Sequence, residues 1–176
     1  MLSTRSQSLW AGPFTKALVS DKALFIMREL IYIVVENFYS KAINDILIGY
    51  HFKKFSENPA ILEHHLQRIT SFWELQLTGK TTQPLQEGFR LLYTHYQLPL
   101  KRGELGRWVK LFHETLDALE SDFKLENDLE DYREIIQLTD RWKQRIKLFE
   151  DKFLQAPQLL RILKSRKLKL NFPAII

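Results

Sequence analysis

Cysteine is absent from this chain of 176 residues, and its absence excludes several kinds of site at once. Without thiols there is no disulfide framework, no thiolate-bound zinc, no iron–sulfur cluster and no cysteine nucleophile. Apolar runs are also short, since the longest covers residues 30–35, whereas a membrane-spanning helix needs about 20 apolar residues. The N-terminus lacks the apolar core of a signal peptide. We therefore expect a soluble cytoplasmic protein with one main domain.

Glycine and proline are scarce, with six residues of each, and they lie mostly at the joints of a helical pattern. The alternation typical of strands is missing throughout. Apolar residues recur at helical spacing in four stretches, which are residues 21–46, 58–79, 100–121 and 129–153. A shorter helix is expected over residues 84–95, and residues 49–57 are expected to be irregular. The pattern predicts an all-α fold with five or six helices.

The net charge of +5 is concentrated at the C-terminal end of the chain. Residues 157–176 contain five basic side chains and no acid, and removing these five from the 26 basic residues leaves as many bases as the 21 acids. This distribution argues against a nucleic-acid-binding surface spread over the fold. The basic tail could contact an anionic membrane, but we favour a solvated C-terminal helix that packs on the rest of the protein.

Four residues with polar tips are predicted to lie on inward helix faces: Tyr39, His65, His95 and Trp108. A zinc site is not favoured, because the chain has no HExxH motif and the adjacent His64 and His65 point about 100° apart on a helix. Two single histidines on separate helices suit a planar cofactor between them. The alternative interpretation is an aromatic-rich bundle core that contains ordinary histidines. Buried phenol and indole groups need hydrogen-bond partners, and this favours a pocket that holds a polar ligand.

The segments that carry these residues resemble the truncated haemoglobins of the globin-like superfamily, and they are most similar to the third group. The matching positions are the pair Phe38 and Tyr39, Phe52 after a short helix, His65 with Phe72 and Trp73 seven and eight residues later, and His95 thirteen residues before Trp108. The similar region runs from about residue 30 to residue 119. The resemblance implies a 2-on-2 helical sandwich over residues 21–155, with helical extensions at 1–20 and 156–176.

The resemblance also implies a haem b cofactor and assigns roles to individual residues. His95 would bind the iron as its single protein ligand. Tyr39, His65 and Trp108 would face a gas molecule at the open sixth position. The side chains implied to contact the haem are Phe38, Phe52, His65, Ile69, Phe72, Trp73, Trp108 and Phe112.

The implied function is the binding of O₂, NO or a similar diatomic gas at a five-coordinate iron. Redox chemistry or sensing is expected in preference to bulk transport. Nitric oxide dioxygenase-like or peroxidase-like turnover, supported by an electron-donating reductase, stays open, as does the oligomeric state. The alternative is a haem-free interaction module that has kept a globin fold, because residues 91–94 differ from the Gly/Pro-marked approach to the proximal histidine that is usual in the family.

Overall fold

The computed structural model describes the backbone of residues 21–84, 100–126 and 129–165, and the side chains of residues 25–84, 100–124 and 131–155. Over these ranges every regular element is helical and no strand occurs. The elements are α1 (Asp21–Ile43), a 3-10 helix (Gly49–Phe52), α2 (Lys53–Glu57), α3 (Pro59–Thr78), α4 (Arg102–Glu126) and α5 (Leu129–Ser165). The prediction of an all-α fold is confirmed. The expected helix over residues 84–95 lies outside the described residues, except for Pro84.

Both ends of α3 are set by local chemistry that the sequence predicts. The Asn58 side chain accepts hydrogen bonds from the amides of Ala60 and Ile61 at 3.1 and 3.2 Å, and Pro59 occupies the first helical position. At the other end Gly79 adopts a left-handed φ of 76°, and its amide donates to the carbonyl of Leu75. The predicted limits, residues 58–79, are therefore confirmed.

The region between α1 and α3 differs from the prediction in two ways. First, α1 ends at Ile43, so Ile46 does not belong to its apolar stripe and is 94% exposed. The chain turns there because the Asp45 carboxylate accepts hydrogen bonds from the amides of Leu47 and Ile48. Second, residues 49–57 form a 3-10 helix followed by α2 and are not irregular. Helices of four and five residues are too short to show an apolar period.

The four long helices form two packed pairs. Helix α1 packs on α3, α4 packs on α5, and the pairs contact each other through α1 with α4 and α3 with α5. Phe112 of α4 lies at the centre, with its ring 4.6 Å from Phe38, 5.4 Å from Trp73 and 5.7 Å from Trp142. Aromatic rings at such distances pack favourably. One side chain of α4 thus contacts all three of the other long helices.

The last two helices are longer than the sequence predicts. Helix α4 continues to Glu126, and α5 continues to Ser165, past residue 155 where the central domain was expected to end. Side chains that link the two helices include Lys143, which contacts the carboxylates of Asp117 at 2.6 Å and Glu120 at 2.8 Å. Within the described ranges, none of these helices has a stretch both long enough and apolar enough to cross a bilayer.

A buried ion pair joins α1 to α3. The guanidinium of Arg28 lies 3.1 Å from the carboxylate of Glu74, and both side chains are almost completely buried. Arg28 also donates to the Ser71 hydroxyl and the Gln67 amide oxygen, while Glu74 accepts a hydrogen bond from the amide of Thr82. The hydrogen bond from the Thr82 amide holds the residues that follow α3 against Glu74. Buried charges need such partners because their removal from water is costly.

We expect Glu74→Ala to lower the free energy of unfolding by about 3–5 kcal/mol, because it leaves the Arg28 charge buried without its ion-pair partner. Urea denaturation measures the loss. The control is Glu114→Ala, which breaks the exposed pair with Lys110 on α4 and should change stability by less than about 0.5 kcal/mol. Equal losses in the two variants would show that the buried ion pair contributes no more to the free energy of unfolding than the exposed one.

Candidate ligand-binding cavity

A cavity of about 230 Å³ lies between α1, α3, α4, the 3-10 helix and α2, with two side chains of α5 at one wall. Nine of the ten residues that the sequence analysis assigned to a site line this one cavity: Phe38, Tyr39, Phe52, His65, Ile69, Phe72, Trp73, Trp108 and Phe112. The tenth, His95, lies outside the described residues. Positions that are far apart in the sequence are thus brought together around one space.

Helix α1 contributes two adjacent aromatic residues that contact different parts of the cavity wall. Consecutive residues of a helix point about 100° apart, so Phe38 and Tyr39 contact different neighbours. Phe38 packs on α4, with its ring 4.6 Å from Phe112 and 5.6 Å from Trp108. Tyr39 points towards the 3-10 helix, and its ring meets Phe52 edge-on at 5.6 Å. Both side chains are buried.

Helix α3 presents one stripe to the cavity. His65, Ile69, Phe72 and Trp73 follow at offsets of four, seven and eight residues, which places them on one face of the helix. Phe72 and Trp73 are buried, whereas His65 and Ile69 are partly buried because they border the open space. His64, which precedes the stripe by one residue, is exposed. The predicted separation of the two adjacent histidines is confirmed.

A hydrogen bond joins the polar tips of two cavity residues from different helices. The Tyr39 hydroxyl lies 2.7 Å from Nε2 of His65. Burial raises the pKa of the Tyr39 phenol above its ordinary value near 10, so the hydroxyl keeps its proton at neutral pH. The pair therefore places a protonated phenol and an imidazole, both able to form hydrogen bonds, against an otherwise aromatic wall.

Phe55 is a cavity residue that the sequence analysis missed. Its ring stacks on the imidazole of His65 at 4.4 Å and 27°, and the residue is 5% exposed. His65 is thus held between the Phe55 ring on one face and the Tyr39 hydroxyl at its Nε2 atom. The spacing of three residues between Phe52 and Phe55, which puts both on one helix face, was the available signal.

Four residues form a polar group at the edge of the cavity, which we call the mouth cluster: Tyr50, His51, Lys101 and Glu104. The Glu104 carboxylate accepts hydrogen bonds from the Lys101 amide at 2.8 Å and the Tyr50 hydroxyl at 2.6 Å, and it lies 3.3 Å from Nε2 of His51. The Lys101 amide and then Tyr50 lower the pKa of Glu104 to about 2. The sequence gives no signal of this cluster, because Tyr50 and His51 are more than 50 residues away from Glu104.

Comparisons with known proteins give no relative for this chain: no protein-family model, no curated protein and no solved structure matches it. Among the residues that the structure describes, no group of three or more histidine, aspartate and glutamate side chains could hold a metal ion. Function is therefore inferred from the cavity, its aromatic walls and its few polar tips.

We expect the Tyr39–His65 hydrogen bond to appear as a coupling energy between the two positions. Tyr39→Phe and His65→Leu should each lower the free energy of unfolding by about 1 kcal/mol, and the double variant should lose less than the sum by at least about 0.5 kcal/mol. Urea denaturation of the four proteins measures this. Pairing Tyr39→Phe with His64→Leu, an exposed neighbour, is the control and should be additive. Additivity in both cycles would contradict the hydrogen bond.

Proposed function

We propose that the chain is a haem-binding globin of the truncated type, whose cavity holds haem b and leaves one axial position for O₂, NO or a similar diatomic gas. One observation carries the proposal. Residues that the resemblance assigned to a haem pocket, in four separate helical elements, line a single cavity, and the side chains of two of them are hydrogen-bonded to each other there. An ordinary bundle core has no need of such an arrangement.

The arrangement of the helices supports the same proposal. A 2-on-2 sandwich places one pair of helices across another, and here α1 with α3 lies against α4 with α5. The cavity opens between the pairs, beside the Phe112 contact that joins them. In the proposed globin α1 and α3 provide the distal wall, and α4 provides Trp108 at its side.

The walls of the cavity fit a porphyrin in their chemistry. Most of the lining is aromatic or aliphatic, which suits a flat apolar ring, and the polar tips number only a few. The volume of about 230 Å³ lies below the range of roughly 300–1,000 Å³ typical of ligand pockets, so a porphyrin needs space beyond these walls. Charged carboxylates of a porphyrin would have to lie where they stay hydrated, outside this apolar wall.

The distal side chains have distinct roles in the proposed site. A haem iron, when bound, supplies the open axial position that takes the gas. Tyr39 keeps its proton, and if Nε2 of His65 donates to the Tyr39 oxygen, the phenolic O–H is free to donate to the gas. The indole N–H of Trp108 is a second donor at the cavity wall. The Phe55 ring packs on Tyr39 and His65 and excludes water from them.

Ligand binding is the primary role in this proposal, and it is placed in the cytoplasm, as the sequence predicts. Catalytic turnover of NO or peroxide would need electrons from a reductase, which is the partner the proposal implies. The observations on the cavity bear on binding and on hydrogen-bond donation to the ligand. They favour donation from Tyr39 and Trp108, because both are held by ring contacts with Phe38.

The first test concerns the proposed iron ligand. We expect the wild-type chain, expressed with haem supplied, to purify with one haem and a Soret band, and His95→Ala to lose the haem or retain it only with added imidazole. His64→Ala, which changes an exposed histidine on α3, is the control and should keep the wild-type spectrum. An unchanged spectrum in His95→Ala contradicts the assignment. A wild-type chain that takes up no haem favours the haem-free interaction module.

The second test concerns the distal donors. Tyr39→Phe and Trp108→Phe should each raise the O₂ dissociation rate about five- to thirtyfold, because each removes a hydrogen bond of about 1–2 kcal/mol to the bound gas. Stopped-flow displacement of O₂ by CO measures the rate. Tyr32→Phe, on the same helix as Tyr39 but bonded to Glu63 away from the cavity, should leave it unchanged. Wild-type rates in both cavity variants would show that these side chains do not reach the ligand.

A further inference from the structure

Residues 45–52 form one wall of the cavity, and side-chain contacts join both ends of this short segment to a single turn of α4. Ile48, His51 and Phe52 of this segment line the cavity. At its first end Asp45 lies 2.7 Å from the guanidinium of Arg107. At its second end Tyr50 and His51 contact Glu104, one turn before Arg107. The wall therefore depends on where this turn of α4 lies.

The two ends of the segment are held by different sets of hydrogen bonds. The Asp45 end is held by several independent bonds: the Asp45 carboxylate accepts from two backbone amides and from Arg107, and the Asp45 carbonyl accepts from the Gly49 amide. The Gly49 backbone also lies so close to Ile43 that a Cβ atom would come within 2.6 Å of its carbonyl oxygen. At the other end, the side-chain hydrogen bonds that the structure describes for Tyr50 and His51 all go to Glu104.

The second end also borders the cavity, next to Lys54, an exposed residue that lines it. The side chains of His51 and Glu104 line the cavity and are still 9% and 11% exposed, so each one reaches both the interior and water. Phe52, the next residue, forms an edge-on contact with Tyr39 deeper in the cavity. Without Glu104, the side chains of Tyr50 and His51 would lose their described hydrogen-bond partner, and the ring contacts of Phe52 with Tyr39 and Phe55 would remain to hold this edge.

We propose that the Glu104 carboxylate latches the 3-10 helix to the start of α4 and so sets the rate at which a small uncharged molecule enters the cavity. The inference rests on the proposed function for the identity of that molecule, which is O₂ or NO. A diatomic gas has no net charge for Glu104 to attract or repel, so the carboxylate acts on entry through the position of the segment. Glu104 is a positioning residue in this account and does not contact the reacting atoms.

The test compares three variants of the full chain. Glu104→Gln removes the charge, Tyr50→Phe removes the 2.6 Å hydrogen bond from a residue that does not line the cavity, and Glu114→Gln is the control for loss of an α4 carboxylate. In the haem-loaded protein, CO rebinding after flash photolysis measures entry. We expect the bimolecular rate to rise about three- to tenfold in the first two variants and to stay at the wild-type value in Glu114→Gln.

A second measurement separates failure of the latch from failure of the proposed function. If the chain takes up no haem, the proposed function has failed. Entry is then measured in the haem-free chain by acrylamide quenching of the fluorescence of Trp73 and Trp108, after the other two tryptophans have been replaced by Trp10→Phe and Trp142→Phe. The latch predicts faster quenching in Glu104→Gln and Tyr50→Phe than in Glu114→Gln. Rates equal to the control in both mouth variants, in whichever form of the protein is obtained, overturn the latch and leave the haem assignment untouched.

Discussion

The packing of Phe112 is the contact on which the rest of the structure depends. Its ring meets Phe38 of α1, Trp73 of α3 and Trp142 of α5, so one residue fixes the distances between the two helix pairs. Towards α5 the surrounding side chains fill a closed core around Trp142 and Ile146, both fully buried. On the opposite side the same ring forms part of the cavity wall. Phe112 thus belongs both to the closed core and to the cavity wall.

The hydrogen bond between Tyr39 and His65 gives the cavity its chemical character. A polar side chain away from water is costly unless it finds a partner, and these two residues satisfy each other at 2.7 Å. The Phe55 ring confines the imidazole, and burial keeps the phenol protonated. The outcome is a fixed donor in an aromatic space, which is the environment that stabilises partial negative charge on a small bound ligand.

The long helices could be predicted from the sequence, and so could about half of the described cavity wall. Apolar periods located α1, α3, α4 and α5, and the Asn58–Pro59 and Gly79 signals set the limits of α3. The helices in the segment from residue 44 to residue 57 could not be predicted from apolar periodicity, since they are short and their course is set by the local hydrogen bonds of Asp45 and by packing on α1 and α3. Ile46 was wrongly placed on the apolar stripe of α1 for that reason. Phe55 was missed although its spacing from Phe52 was a signal, and Glu104 was missed because its partners Tyr50 and His51 are distant in the sequence.

The central claim is that the aromatic cavity binds one haem, and an equilibrium titration of the purified full chain with haemin tests it most directly. Trp73 and Trp108 line the cavity, so haem bound there should quench their fluorescence in step with the growth of a Soret band. The account predicts that both signals saturate together at one equivalent of haem. It is contradicted if no Soret band forms, or if the band saturates while the emission of Trp73 and Trp108 stays at its starting value.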